Sequence, residues 1–362
     1  MKARVRDSAL ALAAVSTAVS LTACGAGPGS TSHAGDARKI SVLLPDSTTA
    51  RWETQDRPLL ERKIRQLCGD CTIVRANAKG DVTIQQEQMD ASIADGVDAI
   101  VLTAVDARSM GASVGKAAAA HIPVIAYDRL AEGPISGYVS FDGQEIGRLQ
   151  GRALLTAMGA KAHSGRIVMM NGDPGDPNAL SFKQGALSEL RGKVTIAKEY
   201  DTPQWSTEAA NHNMSGAISS LGAGSINGVY AANDGLAAGS IAALKADKVT
   251  PLPPVTGQDA ELTAVRRIVS GDQYMTVYKP FGPEAAAGGA LAVAAARGQR
   301  LDGVATRRVK TRSGAEVRAV LLTPVPVILA TIRNTVVKDG VYTLQQICTP
   351  PLAGDCHKAG LT

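Results

Sequence analysis

Two stretches decide how this chain is read: Asp95-Gly-Val-Asp-Ala-Ile-Val-Leu-Thr-Ala-Val105 and Gly224-Ser-Ile-Asn-Gly-Val-Tyr-Ala-Ala-Asn-Asp234. Each passes from small and polar residues into a short β-rich apolar run, and each mirrors the other. Working outward, similar runs occur at 40–45, 72–76, 123–127, 166–170, 194–197 and 254–256, with 99–105 and 228–232 belonging to the quoted pair. Stretches of helical period lie between them, as at 54–67, 82–95, 146–159 and 234–246. Strand–helix alternation predicts parallel sheets covered by helices on both faces. The series breaks near 137–145, again at 275–280 ahead of an Ala-rich helix over 282–297, and a third time at 321–324. The expected architecture is α/β: two similar doubly wound parallel-sheet lobes joined by a three-segment hinge. Residues 39–142 with 279–321 are expected to form the first lobe, and 143–278 with 322–362 the second.

In such sheets ligands bind at the carboxyl ends of the strands. Those ends carry Arg51 and Trp52, Asp128 and Arg129, Asn178, Trp205, Asn233 and Asp234, Gln258 and Asp259, and Lys279. Sugar hydroxyls both donate and accept, so a sugar site needs carboxylates and amides beside Arg or Lys. Aromatic faces cover the C–H faces of the ring. Only 3% of the chain is aromatic, and both tryptophans fall in these loops. Each residue also has a plainer role. Asp128–Arg129 can be a local ion pair, Asn233–Asp234 a helix cap, Asn178 a turn residue after 173–177, and a lone Trp core. Their gathering at one cleft is what points to binding.

At the N-terminus, Lys2, Arg4 and Arg6 precede the short apolar run 8–21, which ends in Leu21-Thr22-Ala23-Cys24. That order is a secretory signal, and its end resembles a bacterial lipobox. Residues 1–23 are the expected signal peptide, Cys24 the lipidated residue, and 24–38 a Gly/Ser-rich tether. The protein is expected outside the cytoplasm, held by a lipid on the outer face of the cell membrane. Net charge is +5; loss of the leader removes three cations and one anion, leaving +3 without a dense basic patch, so nucleic acid is not an expected partner. The other cysteines form two local pairs, Cys68 with Cys71 and Cys348 with Cys356. Outside the cytoplasm such pairs read as disulfides, against zinc or redox alternatives. No catalytic kit is visible: the five histidines are scattered, and Gly111–Lys116 lacks the spacing of a phosphate loop. No cofactor is expected.

Several stretches together resemble a known family: Ala50-Arg51-Trp52, Ala126-Tyr127-Asp128-Arg129-Leu130, Tyr138–Asp142, Asn233-Asp234, Gly257–Glu261, Met275–Pro280, Leu321–Pro324 and Val337–Gly340. They resemble the monosaccharide-binding proteins of ABC importers, of periplasmic binding protein type 1 fold, and most of all the D-xylose-binding proteins. The resemblance implies a hinged monomer that closes over one sugar and delivers it to a membrane permease. It implies that Arg51, Asp128, Arg129, Asn178, Asn233, Asp259 and Lys279 bind hydroxyls while Trp52 and Trp205 stack on the ring, with Asp234 and Gln258 as caps or supports. Asn233 and Lys279 look like the xylose type; multi-sugar relatives share the other motifs. Pro177 departs from the family's Asn-Asn pair. The two cysteine pairs and the tail 348–362 are further departures. A DNA-binding regulator of the same fold would begin with a helix-turn-helix segment instead of an export signal. A sensor subunit feeding a membrane receptor shares all these features. A sugar-converting enzyme would need a carboxyl of raised pKa, whereas Arg129 and Lys279 would keep Asp128 and Asp259 ionised.

Overall fold

The computed structural model describes residues 37–362; the expected leader, Cys24 and most of the tether lie outside the described residues. In chain order the strands and main helices begin with β1 Lys39–Leu44, α1 Arg57–Leu67, β2 Thr72–Asn77, α2 Val82–Ala94, β3 Ala99–Leu102, α3 Gly111–Ala119, β4 Val124–Tyr127 and β5 Gly137–Phe141. They continue with α4 Gly143–Met158, β6 Arg166–Asn171, α5 Pro177–Leu190, β7 Thr195–Asp201, α6 Thr207–Leu221, β8 Gly228–Ala231, α7 Asp234–Ala246, α8 Leu262–Ser270 and β9 Met275–Tyr278. Then come α9 Phe281–Ala296, β10 Arg307–Lys310, β11 Glu316–Leu322 and β12 Val325–Ile328.

Seven strands form the first sheet in the order β10-β11-β5-β4-β3-β1-β2, parallel except for the β10–β11 edge pair. Its inner strands β1, β3, β4 and β5 are buried on both sides, as a sheet covered on both faces requires, while the edge strands β2 and β10 are more exposed. One face buries Ile40, Val42 and Val101 under α1 and α9; the other buries Leu43, Ile100 and Leu102 against α2 and α3. The second sheet has the order β7-β6-β8. Backbone bonds extend it: Val229 N donates to Pro254 O, Tyr274 N to Val255 O and Val277 N to Gly257 O, so residues 254–259 lead to β9, which pairs with β12. The chain passes from one sheet system to the other after β5, after β9 and after β11. A two-lobed α/β fold with three crossings is therefore present.

Local differences from the sequence reading have physical causes. The break at 137–145 contains β5, a central strand whose short, polar end hides its pairing. The run 254–256 makes only one isolated bridge, Val255 to Val229. Residues 52–56 form one π-helical stretch ahead of α1, and Gly111–Lys116 is the opening of α3. Both cysteine pairs, Cys68–Cys71 and Cys348–Cys356, are disulfides. The second ties down the C-terminal tail, whose Ile347, Cys356 and Leu361 pack with Val265, Tyr278 and Phe281.

Candidate functional site

The carboxyl ends of the two sheets face one another across a narrow cavity. From the first lobe and the crossings it is lined by Thr49, Trp52, Asp128, Arg129 and Lys279; from the second by Asp176, Asn178, Phe182, Trp205, Asn233, Gln258 and Asp259. Of the nine residues expected to contact a ligand, eight line it. Arg51 does not.

Asp128 is the hub. It leaves β4 with φ 59°, a left-handed conformation that is uncommon for a residue with a side chain. Donation from its N–H to Val139 O, and acceptance by its carbonyl from Tyr138 Oη and Ser140 Oγ, hold it there. Its Oδ1 accepts from Asn178 Nδ2 at 2.8 Å, and its Oδ2 from Lys279 Nζ and Arg51 Nη1, both at 3.0 Å. Burial alone would raise its pKa, but Lys279 and Arg51 outweigh it and hold the carboxyl at about 2. Arg129 donates to Ala104 O at 3.0 Å and lies 2.7 Å from the Asp176 carboxylate. The Cζ atoms of Arg51 and Arg129 lie 4.6 and 5.6 Å from the centre of the Trp52 ring, a cation–π stack that fixes the indole.

On the opposite wall, Asp176 caps α5 by accepting from Asn178 N at 2.8 Å, and Pro177 occupies the first helical position, where no N–H is needed. The cap places Asn178 one residue into the helix, facing Asp128. Asp176 also accepts from Trp205 Nε1 at 3.2 Å. Burial pushes Asp176 up to about 6 in spite of Arg129. Trp205 has φ 52° and sits 6.4 Å from Phe182, ring to ring. A Cβ on Gly172 would fall 2.0 Å from the Trp205 ring, so only glycine lets the indole lie there. Asn233 caps α7 through Oδ1, accepting from Leu236 N at 2.9 Å, which leaves its NH₂ as the free donor.

Loop 257–261 completes the wall. Asp259 has φ 95° and is held by its N–H to Val277 O. The buried Asp234 carboxylate anchors this loop, accepting from Gln273 Nε2, Thr276 Oγ1 and Glu261 N. Burial raises Asp234 to about 7, and burial with neighbouring Asp234 and Asp259 raises Glu261 to about 8. Asp259 Oδ1 lies 3.2 Å from Lys279 Nζ and 3.5 Å from Arg51 Nη1, yet it has no hydrogen-bond partner; nor do Gln258 Oε1 and Trp52 Nε1. Strained backbone and unpartnered buried polar atoms together mark a binding site.

Arg129–Asp176, Asn178–Asp128 and Ala107 N to Gly175 O join the two lobes directly. Sequence reasoning did not pick out Thr49, Asp176 or Phe182, and Gln258, expected as a cap or support, lines the cavity with them; the signal available for Thr49 and Asp176 was their placement two residues from Arg51 and Asn178. Among the described residues no group of His, Cys, Asp and Glu could hold a metal ion.

Fold and site define a hinged, two-lobed binding protein. Residues 40–300 match the family model described as a periplasmic binding protein domain, and the chain belongs to that family. It is 31% identical to the D-xylose-binding periplasmic protein of Haemophilus influenzae, over 88% of this chain and 94% of that one. It is 32% identical to the D-xylose-binding periplasmic protein of Escherichia coli, over 84% and 91%. Among solved structures, an ABC transporter solute-binding protein from Clostridium phytofermentans with bound β-D-glucose superposes with a TM-score of 0.79 at 27% identity, covering 86% of this chain and all of that one. These relatives are named for what they bind; this chain is a binding protein, not an enzyme.

Proposed function

We propose that this chain is the substrate-binding lipoprotein of an ABC sugar importer, that it captures a monosaccharide by closure of its two lobes, and that the sugar is D-xylose. The observation that carries the reading is the cavity's chemistry: its charges are paired with one another, Asp259 Oδ1 included, while that oxygen, Gln258 Oε1 and the Asn233 NH₂ have no hydrogen-bond partner. Such a site favours a neutral molecule rich in hydroxyls over a charged one. Trp205 offers an aromatic wall for the C–H face of a sugar ring. The xylose assignment rests on the two xylose-binding relatives and on Asn233 and Lys279.

In this mechanism the open form admits the sugar, whose hydroxyls bond Asp128, Arg129 and Lys279 on one side and Asn178, Asn233 and Asp259 on the other. That differential affinity biases the lobes towards closure. The boundaries 39–142 with 279–321 and 143–278 with 322–362 define the moving bodies. Cys24 carries the lipid that holds the monomer at the outer face of the membrane beside its permease; among the described residues no helix is long and apolar enough to cross it. A second reading, a multi-sugar binder, is supported by the glucose bound to the superposed relative. Thermal unfolding of residues 37–362 against xylose, glucose, galactose, arabinose and ribose tests both. A ligand of the folded state must raise Tm as its concentration passes Kd. A rise with xylose alone is expected, rises with several sugars favour the second reading, and no rise with any of them refutes both.

A further inference from the structure

One buried acid close to the cavity has no part in contacting the ligand. Glu284, on α9, is fully buried, and its Oε2 accepts from Arg51 Nη2 at 2.5 Å while its Oε1 has no partner. The remaining edge of Arg51 is also occupied. Nε and Nη2 each donate to Asp56 at 2.6 Å, and Tyr127 Oη donates to the same carboxylate at 2.6 Å. The Arg51–Asp56 pairing needs an i to i+5 spacing, which the π-helical stretch over 52–56 supplies. Only Nη1 is left, and it reaches Asp128 at 3.0 Å and Asp259 at 3.5 Å.

We infer that Glu284 is a positioning residue of the binding site: with Asp56 it clamps Arg51 so that a single guanidinium edge ties Asp128 of one lobe to Asp259 of the other. Four carboxylates, of Asp56, Asp128, Asp259 and Glu284, surround two cations, Arg51 and Lys279. A dry cluster of that composition cannot keep all four ionised. Burial, with Asp128 and Asp56 beside it, pushes the pKa of Glu284 up, although Arg51 and Lys279 pull the other way, so in this inference the shared proton sits on Glu284. Protonated, it would accept one bond from Arg51 without taking up its charge. That charge then serves Asp128 and Asp259, the carboxylates that face the cavity. Arg51 is thus a strut behind the site, and Glu284 acts through it.

The inference rests on the sugar-binding reading, so its test has one arm without sugar. In ligand-free protein, the Arg51 Nε–H resonance is followed by ¹⁵N NMR in wild type, E284Q and E284L; calorimetric titration with D-xylose follows. Slow exchange of that resonance is expected in wild type and E284Q and fast exchange in E284L. E284L should bind xylose about tenfold more weakly, and E284Q should restore binding to within about twofold of wild type. In a D259N background the loss caused by E284L should shrink, because the two changes act on one linkage. An Arg51 signal and affinity unchanged in E284L would overturn the inference. So would E284Q weakening binding as much as E284L, because an ionised carboxylate would then be required. Should E284L fail to fold, the E284Q comparison decides alone. If wild type binds no sugar in the panel, the functional reading fails, while the NMR arm still decides whether Glu284 holds Arg51.

Discussion

The two walls of the cavity are built on different principles. On the first, Asp128 takes three side-chain donors on its carboxylate and Arg51 spends every nitrogen on carboxylates. On the second, Gln258 and Asn233 present groups without a protein partner, and Asp259 faces Lys279 and Arg51 through an oxygen that accepts no hydrogen bond. The first wall is a pre-assembled electrostatic frame, and the second offers bonds that await a ligand. Preorganisation of this kind lowers the ordering cost of binding on one side and reserves new hydrogen bonds for the other.

The sharpest way to break this contrast is to remove the hub. Asp128→Ala would leave Arg51 and Lys279 buried without their shared partner. Xylose affinity is expected to fall about 100-fold or more, and Tm by several degrees. A loss of affinity with unchanged Tm would mean that the first wall is no frame. Next in size is Asp259→Ala. It removes a ligand contact and the Lys279 and Arg51 ion pairs but leaves Asp128 beside both cations, so calorimetry should show an affinity loss of about tenfold, with a smaller fall in Tm of the sugar-free protein than Asp128→Ala gives. Equal destabilisation by the two variants would erase the difference between the walls.

The smallest effect concerns pH. Folded-state values of about 7 for Asp234 and about 8 for Glu261 lie above the ordinary carboxylate range. Groups raised in this way contribute stability that is full below about pH 4 and is lost as pH rises through their folded values. Tm of the sugar-free protein should therefore decline between about pH 4 and 8, and Asp234→Asn should flatten that decline. A Tm that climbs over this range would reverse the assignment.

Much of this was legible in the sequence because strand–helix alternation forces polar strand-end residues into one cleft. Asp128, Asn233, Asp259 and Lys279 stand at strand ends by that rule, and all four line the cavity. What escaped it depends on distances along the chain or on local backbone. Glu284 sits in an Ala-rich helix and meets Arg51 across 233 positions. Asp176 looks like one more turn residue in the 173–177 run until its cap, its indole bond and its ion pair are seen together. Arg51 reads as a ligand contact because it stands beside Trp52, and the π-helical spacing that brings Asp56 round to it is not visible in the sequence. The five-residue spacing carries no hydrophobic period, so no pattern search would find it.

The most direct measurement is a crystal structure of residues 37–362 grown with D-xylose. The account predicts one sugar in the cavity, its ring against Trp205 and its hydroxyls within hydrogen-bond distance of Asp259, Gln258 and Asn233, with Arg51 still enclosed by Asp56 and Glu284. A sugar bound elsewhere, or Asp259 left without a ligand bond, would contradict it.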